Sequence, residues 1–166
     1  MITDWDDAYA NGDHIADASS YPGMWAEQSA RFRDTLLATQ RAELDIAYGT
    51  GDREKYDLFL PEGAPKGLVV FVHGGYWKAF DKSRWSHLAN GAVAKGWAVC
   101  MPSYTLAPDA RLSQITGQIA AAINHAAARI DGPIHLTGHS AGGHLVSRMV
   151  SETSPLLSDT LSRVKN

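Results

Sequence analysis

The 166 residues contain a single cysteine, Cys100, so no disulfide can form within the chain, as suits a reducing compartment. A basic excess is missing as well: Lys and Arg number 15 against 18 Asp and Glu, a formal net charge of −3 with no long run of one sign. Binding nucleic acid requires a basic footprint that neutralises phosphates, and that partner is excluded on this ground. The longest strongly apolar run, Leu68 to Val72, falls far short of the ~20 residues that a membrane span needs. Asp4, Asp6 and Asp7 stand where a secretory leader would carry basic and then apolar residues. Internal repeats and low-complexity tracts are also missing. What is present is a globular composition, 45% hydrophobic with 15 Gly and 7 Pro, of a length that suits one domain. These readings predict a soluble, cytoplasmic protein without nucleic-acid or membrane partners.

The first 20 residues read as an irregular lead-in. Pro22 fits a first helical turn, and Trp25, Phe32 and Leu36 share one face, so an amphipathic helix is predicted from Pro22 to about Gln40. Residues 1–40 thus form one unit and 41–166 another. Glu43–Tyr48 and Lys55–Leu60 read as strands of a hairpin around the turn residues 49–52. Leu68–Val72 is apolar without alternation, as expected of a strand covered on both faces. Trp97–Met101 and Pro133–Thr137 are two further strands. Between and after them, three helices are predicted from apolar spacing. The first carries Trp85, Leu88, Ala89, Ala92 and Val93 and stops at Gly96. The second runs from Leu112 to near Ile130, with Asp109 as its capping residue, and the third starts near Ala141. Strand and helix alternate, which predicts an α/β fold with a mostly parallel sheet and helices on its faces.

Two motifs stand at strand ends. Gly138-His139-Ser140-Ala141-Gly142 matches G-x-S-x-G and lies between a predicted strand and a predicted helix, where a strained turn presents the serine hydroxyl. The helix start behind Ser140 aims N–H groups and partial positive charge at an oxyanion. His73-Gly74-Gly75-Tyr76-Trp77 follows the strand 68–72. Acyl transfer needs backbone N–H donors at the developing oxyanion. The N–H groups of Gly75, Tyr76 and Ala141 are the expected set. His73 and Gly74 are read as loop support, and Tyr76 and Trp77 as pocket wall, with Trp25 as a candidate further wall. Cys100, in a buried strand, reads as a small hydrophobe.

The pair HGGYW and GHSAGG, with SYTLAP (Ser103 to Pro108) between them, resembles the α/β-hydrolase superfamily, and within it the esterase branch that includes arylformamidases, also called kynurenine formamidases. The resemblance covers roughly residues 41–166. It implies a metal- and cofactor-free serine hydrolase acting on small formamides or short acyl esters, with a triad in the chain order Ser, acid, His. The 26 residues after Ser140 contain Glu152 and Asp159 but no histidine beyond His144. The expectation is therefore an N-terminal portion of a longer hydrolase, incomplete after the nucleophile helix, with a C-terminal remainder as its partner and a homo-oligomer open. His139 and His144 are expected to point away from the serine hydroxyl, His87 to be remote, and His125 and His135 to be buried and satisfied. The spacing of His135, His139 and His144 spreads over strand, turn and helix, which does not suit a metal. A competing reading from another class is a degenerate hydrolase that keeps the pocket as a non-catalytic ligand-binding module.

Overall fold

The computed structural model describes residues 2–10 and 12–165. Its sheet has the order β1-β2-β4-β3-β5, with β1 Ala42–Ala47, β2 Lys55–Phe59, β3 Leu68–Val72, β4 Ala98–Pro102 and β5 Ile134–Gly138. β4, β3 and β5 are mutually parallel, while β2 runs antiparallel to both β1 and β4. Four of the five strands therefore point the same way. The hairpin 42–59 joins the sheet through β2.

Side-chain alternation divides the core in two. Leu68, Val70 and Val72 of β3 and Ala98 and Cys100 of β4 face one side, against Ile115, Ile119 and Ile123 of α4 (Leu112–Ala127) and Leu145 and Met149 of α5 (Ala141–Met149). Val69 and Phe71 of β3, with Val99 and Met101 of β4, face the other side. That side is covered by α2 (Tyr21–Ala38), the 3₁₀ segment Lys82–Ala89 and α3 (Asn90–Ala94). Both faces of the central strands are thus covered, which explains apolar runs without alternation. Each fully buried isoleucine of α4 contributes about 1.5–3 kcal/mol of transfer free energy.

Several local expectations are corrected. The lead-in contains a short helix, α1 Trp5–Tyr9, whose N-cap Asp4 accepts the N–H groups of Asp6 and Asp7. The helix expected over 85–93 is mostly 3₁₀, and Leu88 is exposed rather than core-facing, because a three-residue turn rotates it off the stripe. Asp109 is not the cap of α4: the helix begins at Leu112 with Arg111 as its N-cap, and the Gln114 side chain reaches back to accept the Arg111 N–H at 2.8 Å. A bulge in β1 between Glu43 and Ile46 puts Asp45 at φ 56. There Lys82 Nζ bonds both Asp45 (2.8 Å) and the buried Asp57 (2.7 Å). Burial opposes the Lys82 charge, but the two carboxylates outweigh it and hold its pKa above the ordinary value. After the last helix, α6 Ser158–Ser162, Val164 forms a parallel bridge with Ile134.

Candidate active site

The register between β3 and β5 fixes the site. Val72 stands opposite Gly138, so the segments 73–77 and 139–140 leave from adjacent carboxyl ends of parallel strands. The connection from β3 to β4 crosses one face and that from β4 to β5 the other, which makes this a switch point where open α/β sheets take ligands. The two segments touch. A Cβ on Gly74 would lie 2.8 Å from the His139 carbonyl oxygen and 3.1 Å from the Ser140 Cβ. A Cβ on Gly142 would meet the Val72 carbonyl oxygen at 2.0 Å, so only glycine lets α5 start this close to β3.

Ser140 has φ 51 and ψ −116, a conformation that costs a non-glycine residue about 1–3 kcal/mol. It is exposed and immediately precedes α5. Among the described residues, nothing hydrogen-bonds its hydroxyl. The loop after β3 is also left-handed at Gly75 (φ 113), Tyr76 (51), Trp77 (59) and Phe80 (70). Lys78 and Ala79 N–H donate to the Gly75 carbonyl at 3.0 Å, and Ala107 N–H donates to that of Trp77 at 2.8 Å. Arg53, in the hairpin turn, donates from Nη2 to the Phe80 carbonyl (2.5 Å) and from Nε to the Tyr104 carbonyl (2.8 Å). Among the described residues, none accepts the backbone N–H of Gly75, Tyr76 or Ala141.

His73 lies under the loop, 1% exposed, stacked on Tyr104 with centroids 4.4 Å apart. Its Nδ1–H donates to the Gly74 carbonyl at 2.8 Å, and the Tyr104 hydroxyl donates to the His73 carbonyl at 3.0 Å. Burial drives the His73 pKa down to about 4 and pushes that of Tyr104 up to about 12, so both are neutral near pH 7. Among the described residues, His73 Nε2 has no hydrogen-bond partner. The half-buried Trp77 meets the His144 ring edge-on at 5.3 Å, whereas Tyr76 is 67% exposed. Trp25 packs on Trp85, whose ring lies 5.1 Å from Trp25 and 5.5 Å from His139.

His139 and His144 are exposed, and neither bonds Ser140 through its ring. His87 is held by Ser29, at 2.8 Å. His125 and His135 depart from expectation. His125 sits on the exposed side of α4, sharing a 2.9 Å hydrogen bond with the Tyr56 hydroxyl. His135 is half-buried, its ring packed edge-on to Trp97 with centroids 4.9 Å apart. Among the described residues, no three His, Cys, Asp or Glu side chains group as metal ligands, and no helix is long and apolar enough to cross a membrane. No sequence pattern marks Arg53 or the Asp57–Lys82 pair. Only SYTLAP points at the neighbourhood of Tyr104.

The five-stranded sheet with its strained strand-to-helix turn at the switch point defines the fold as that of an α/β-hydrolase. Within that class, the chain belongs to the BD-FAE family, whose pattern matches residues 56–161. It is 35% identical over 144 residues to the kynurenine formamidase of Danio rerio, covering 78% of this chain and 48% of that one. To the kynurenine formamidase of Drosophila melanogaster it is 32% identical, covering 63% and 37%. Among solved structures, a protein of Silicibacter sp. TM1040 described provisionally as a thioesterase superposes with a TM-score of 0.92 at 59% identity, over 97% of this chain and 60% of that one. Esterase B of Lactobacillus rhamnosis superposes with a TM-score of 0.60 at 25% identity, over 83% and 49%. The chain spans about half the length of the Danio rerio relative.

Proposed function

We propose that this chain carries the acyl-transfer centre of a serine hydrolase acting on an ester or an aryl formamide. Ser140 is the nucleophile, and the N–H groups of Gly75, Tyr76 and Ala141 are the oxyanion donors. The observation that carries this reading is the approach of Gly74 to Ser140, which brings the loop with two unengaged amides to a strained, exposed serine at a helix start. Ser140 Oγ attacks the substrate carbonyl carbon while a general base takes its proton. The oxyanion forms among the three amides, and loss of one such donor costs about 10²–10³ in kcat. Collapse expels the alcohol or amine, which receives the proton from the base. Water then releases the acid and restores Ser140. His73 and Gly74 support the loop, and Tyr76 and Trp77 flank the leaving group.

The names of the relatives support both substrate classes, and the aromatic pair Tyr76-Trp77 favours the aryl formamide. No described histidine bonds the Ser140 hydroxyl, so the reading takes the base and its orienting acid from outside these 166 residues. In the full-length protein, Ser140→Ala lowers kcat by roughly 10³-fold or more with a smaller change in KM. Comparing kcat/KM for N-formylkynurenine and p-nitrophenyl acetate decides between formamidase and general esterase. Turnover by residues 1–166 alone, abolished by Ser140→Ala, would instead place the base within the chain, with His144 first. Saturable binding of an aromatic ligand, with neither turnover nor phosphonate labelling of Ser140 in the full-length protein, would favour the non-catalytic ligand module.

A further inference from the structure

The geometry points to Arg53 as a positioning residue for the loop 75–80, an assignment that rests on the oxyanion reading of that loop. Arg53 lies in the turn between β1 and β2, far in sequence from both motifs. Its guanidinium forks between two carbonyls of different segments: Phe80, in the loop after β3, and Tyr104, in the segment after β4. The same two segments are joined elsewhere. Ala107 N–H donates to the Trp77 carbonyl, the Tyr104 hydroxyl to the His73 carbonyl, and Lys82 N–H to Ser103 Oγ at 3.0 Å. Arg53 closes this set at Phe80, where the chain is left-handed for the fourth time in six residues.

A run of left-handed residues persists only where its surroundings over-determine it. Release of the Phe80 carbonyl lets the loop relax toward ordinary backbone angles, and that relaxation rotates the amides of Gly75 and Tyr76. The hairpin turn does not itself need Arg53. Glu54 accepts the Gly51 N–H at 2.7 Å, and Tyr48 N–H donates to the Glu54 carbonyl at 2.9 Å. The requirement is for a planar fork that spans two fixed carbonyls, which a lysine ammonium reproduces poorly.

The test uses the full-length protein with Arg53→Ala and Arg53→Lys, an aryl formamide or aryl ester as substrate, and backbone amide exchange. In Arg53→Ala, kcat falls roughly 10- to 100-fold, as expected when a supporting shift misplaces reacting groups. KM stays within about 2-fold, the signature of an interaction used in the transition state. Arg53→Lys recovers only part of the loss. Added methylguanidinium restores the turnover of Arg53→Ala saturably and does nothing for Ser140→Ala. Amide exchange at Lys78 and Ala79, the bonded amides of the loop, quickens in Arg53→Ala, while β3 and β5 stay protected. Unchanged kcat with unchanged exchange overturns the assignment. So does a kcat loss that only follows the loss of folded protein and resists methylguanidinium. If the unmutated protein shows no Ser140-dependent turnover, the oxyanion reading fails separately, and exchange at Lys78 and Ala79 alone decides whether Arg53 holds the loop.

Discussion

His73 is a base kept uncharged by its surroundings, and that state is readable as stability. Its pKa falls from an ordinary 6.5 to about 4 because burial disfavours the imidazolium. Between those values the unfolded chain binds more protons than the folded one, so stability declines as pH falls from 6.5 toward 4. Below about 4 this group adds no further loss, and above 6.5 its contribution is complete. The shift corresponds to about 3 kcal/mol over that range. Urea denaturation at about pH 7 and about pH 4.5, either side of most of that window, checks it. His73→Gln shows a shallower decline than the unmutated chain, and equal declines would clear His73 of the effect. The place of His73 beside the loop was legible because it adjoins Gly74-Gly75 at a strand end. The Asp57–Lys82 pair was not, since an acid within KYDLF reads as a solvent-facing position of a strand. Its cation arrives from a separate 3₁₀ segment on the far side of the intervening chain. Arg53 was hidden for a different reason: its acceptors are backbone carbonyls, which leave no signature in a sequence.

At the scale of elements, periodicity located what hydrophobic burial alone decides. β3 lies where its unbroken apolar run predicts, and α4 starts at Leu112 as its isoleucine spacing predicts. Ends and irregularities were less legible, because capping bonds and register set them: α4 stops at Ala127, before Ile130, and the β1 bulge has no glycine to announce it. α4 offers two opposed substitutions within three residues. Gly117 is exposed in the helix interior, and a methyl group added there would meet nothing within 4 Å, so Gly117→Ala stabilises by about 0.5–1 kcal/mol. Ile119 is fully buried beneath the sheet, so Ile119→Ala destabilises by about 2–5 kcal/mol. Guanidinium denaturation of the two variants measures both. Changes of the same sign would mean that α4 packs differently from the arrangement described.

For the molecule as a whole, the two helices ahead of β1 differ in how they pack. α1 buries no residue, and its Trp5 and Tyr9 stack on each other at 6.0 Å. α2 instead buries Ser29 and Leu36, and Arg33 bonds the Ser83 carbonyl and Ser86 Oγ of the 3₁₀ segment. Removal of residues 1–17 therefore lowers the melting temperature by less than about 3 °C, equivalent to roughly 1 kcal/mol in a chain of this size. Removal through Ala38 uncovers Phe59 and Trp85 and costs far more. Circular dichroism melts of the two deletions make the comparison, and a large drop in the first would assign α1 a structural role. The order of strands across the sheet also has a consequence in time. β4 lies between β2 and β3, so β2 is finished at Phe59 but its inner neighbour starts only at Ala98. A ribosome adding about 5–20 residues per second needs roughly 2–8 s for those 40 or so residues. Throughout that delay Tyr56, Leu58 and Phe59, all fully enclosed at the end, wait on a nascent strand with one open edge. Such an edge pairs readily with other chains, so on a crowded polysome shielding is needed most before Pro102 has been synthesised.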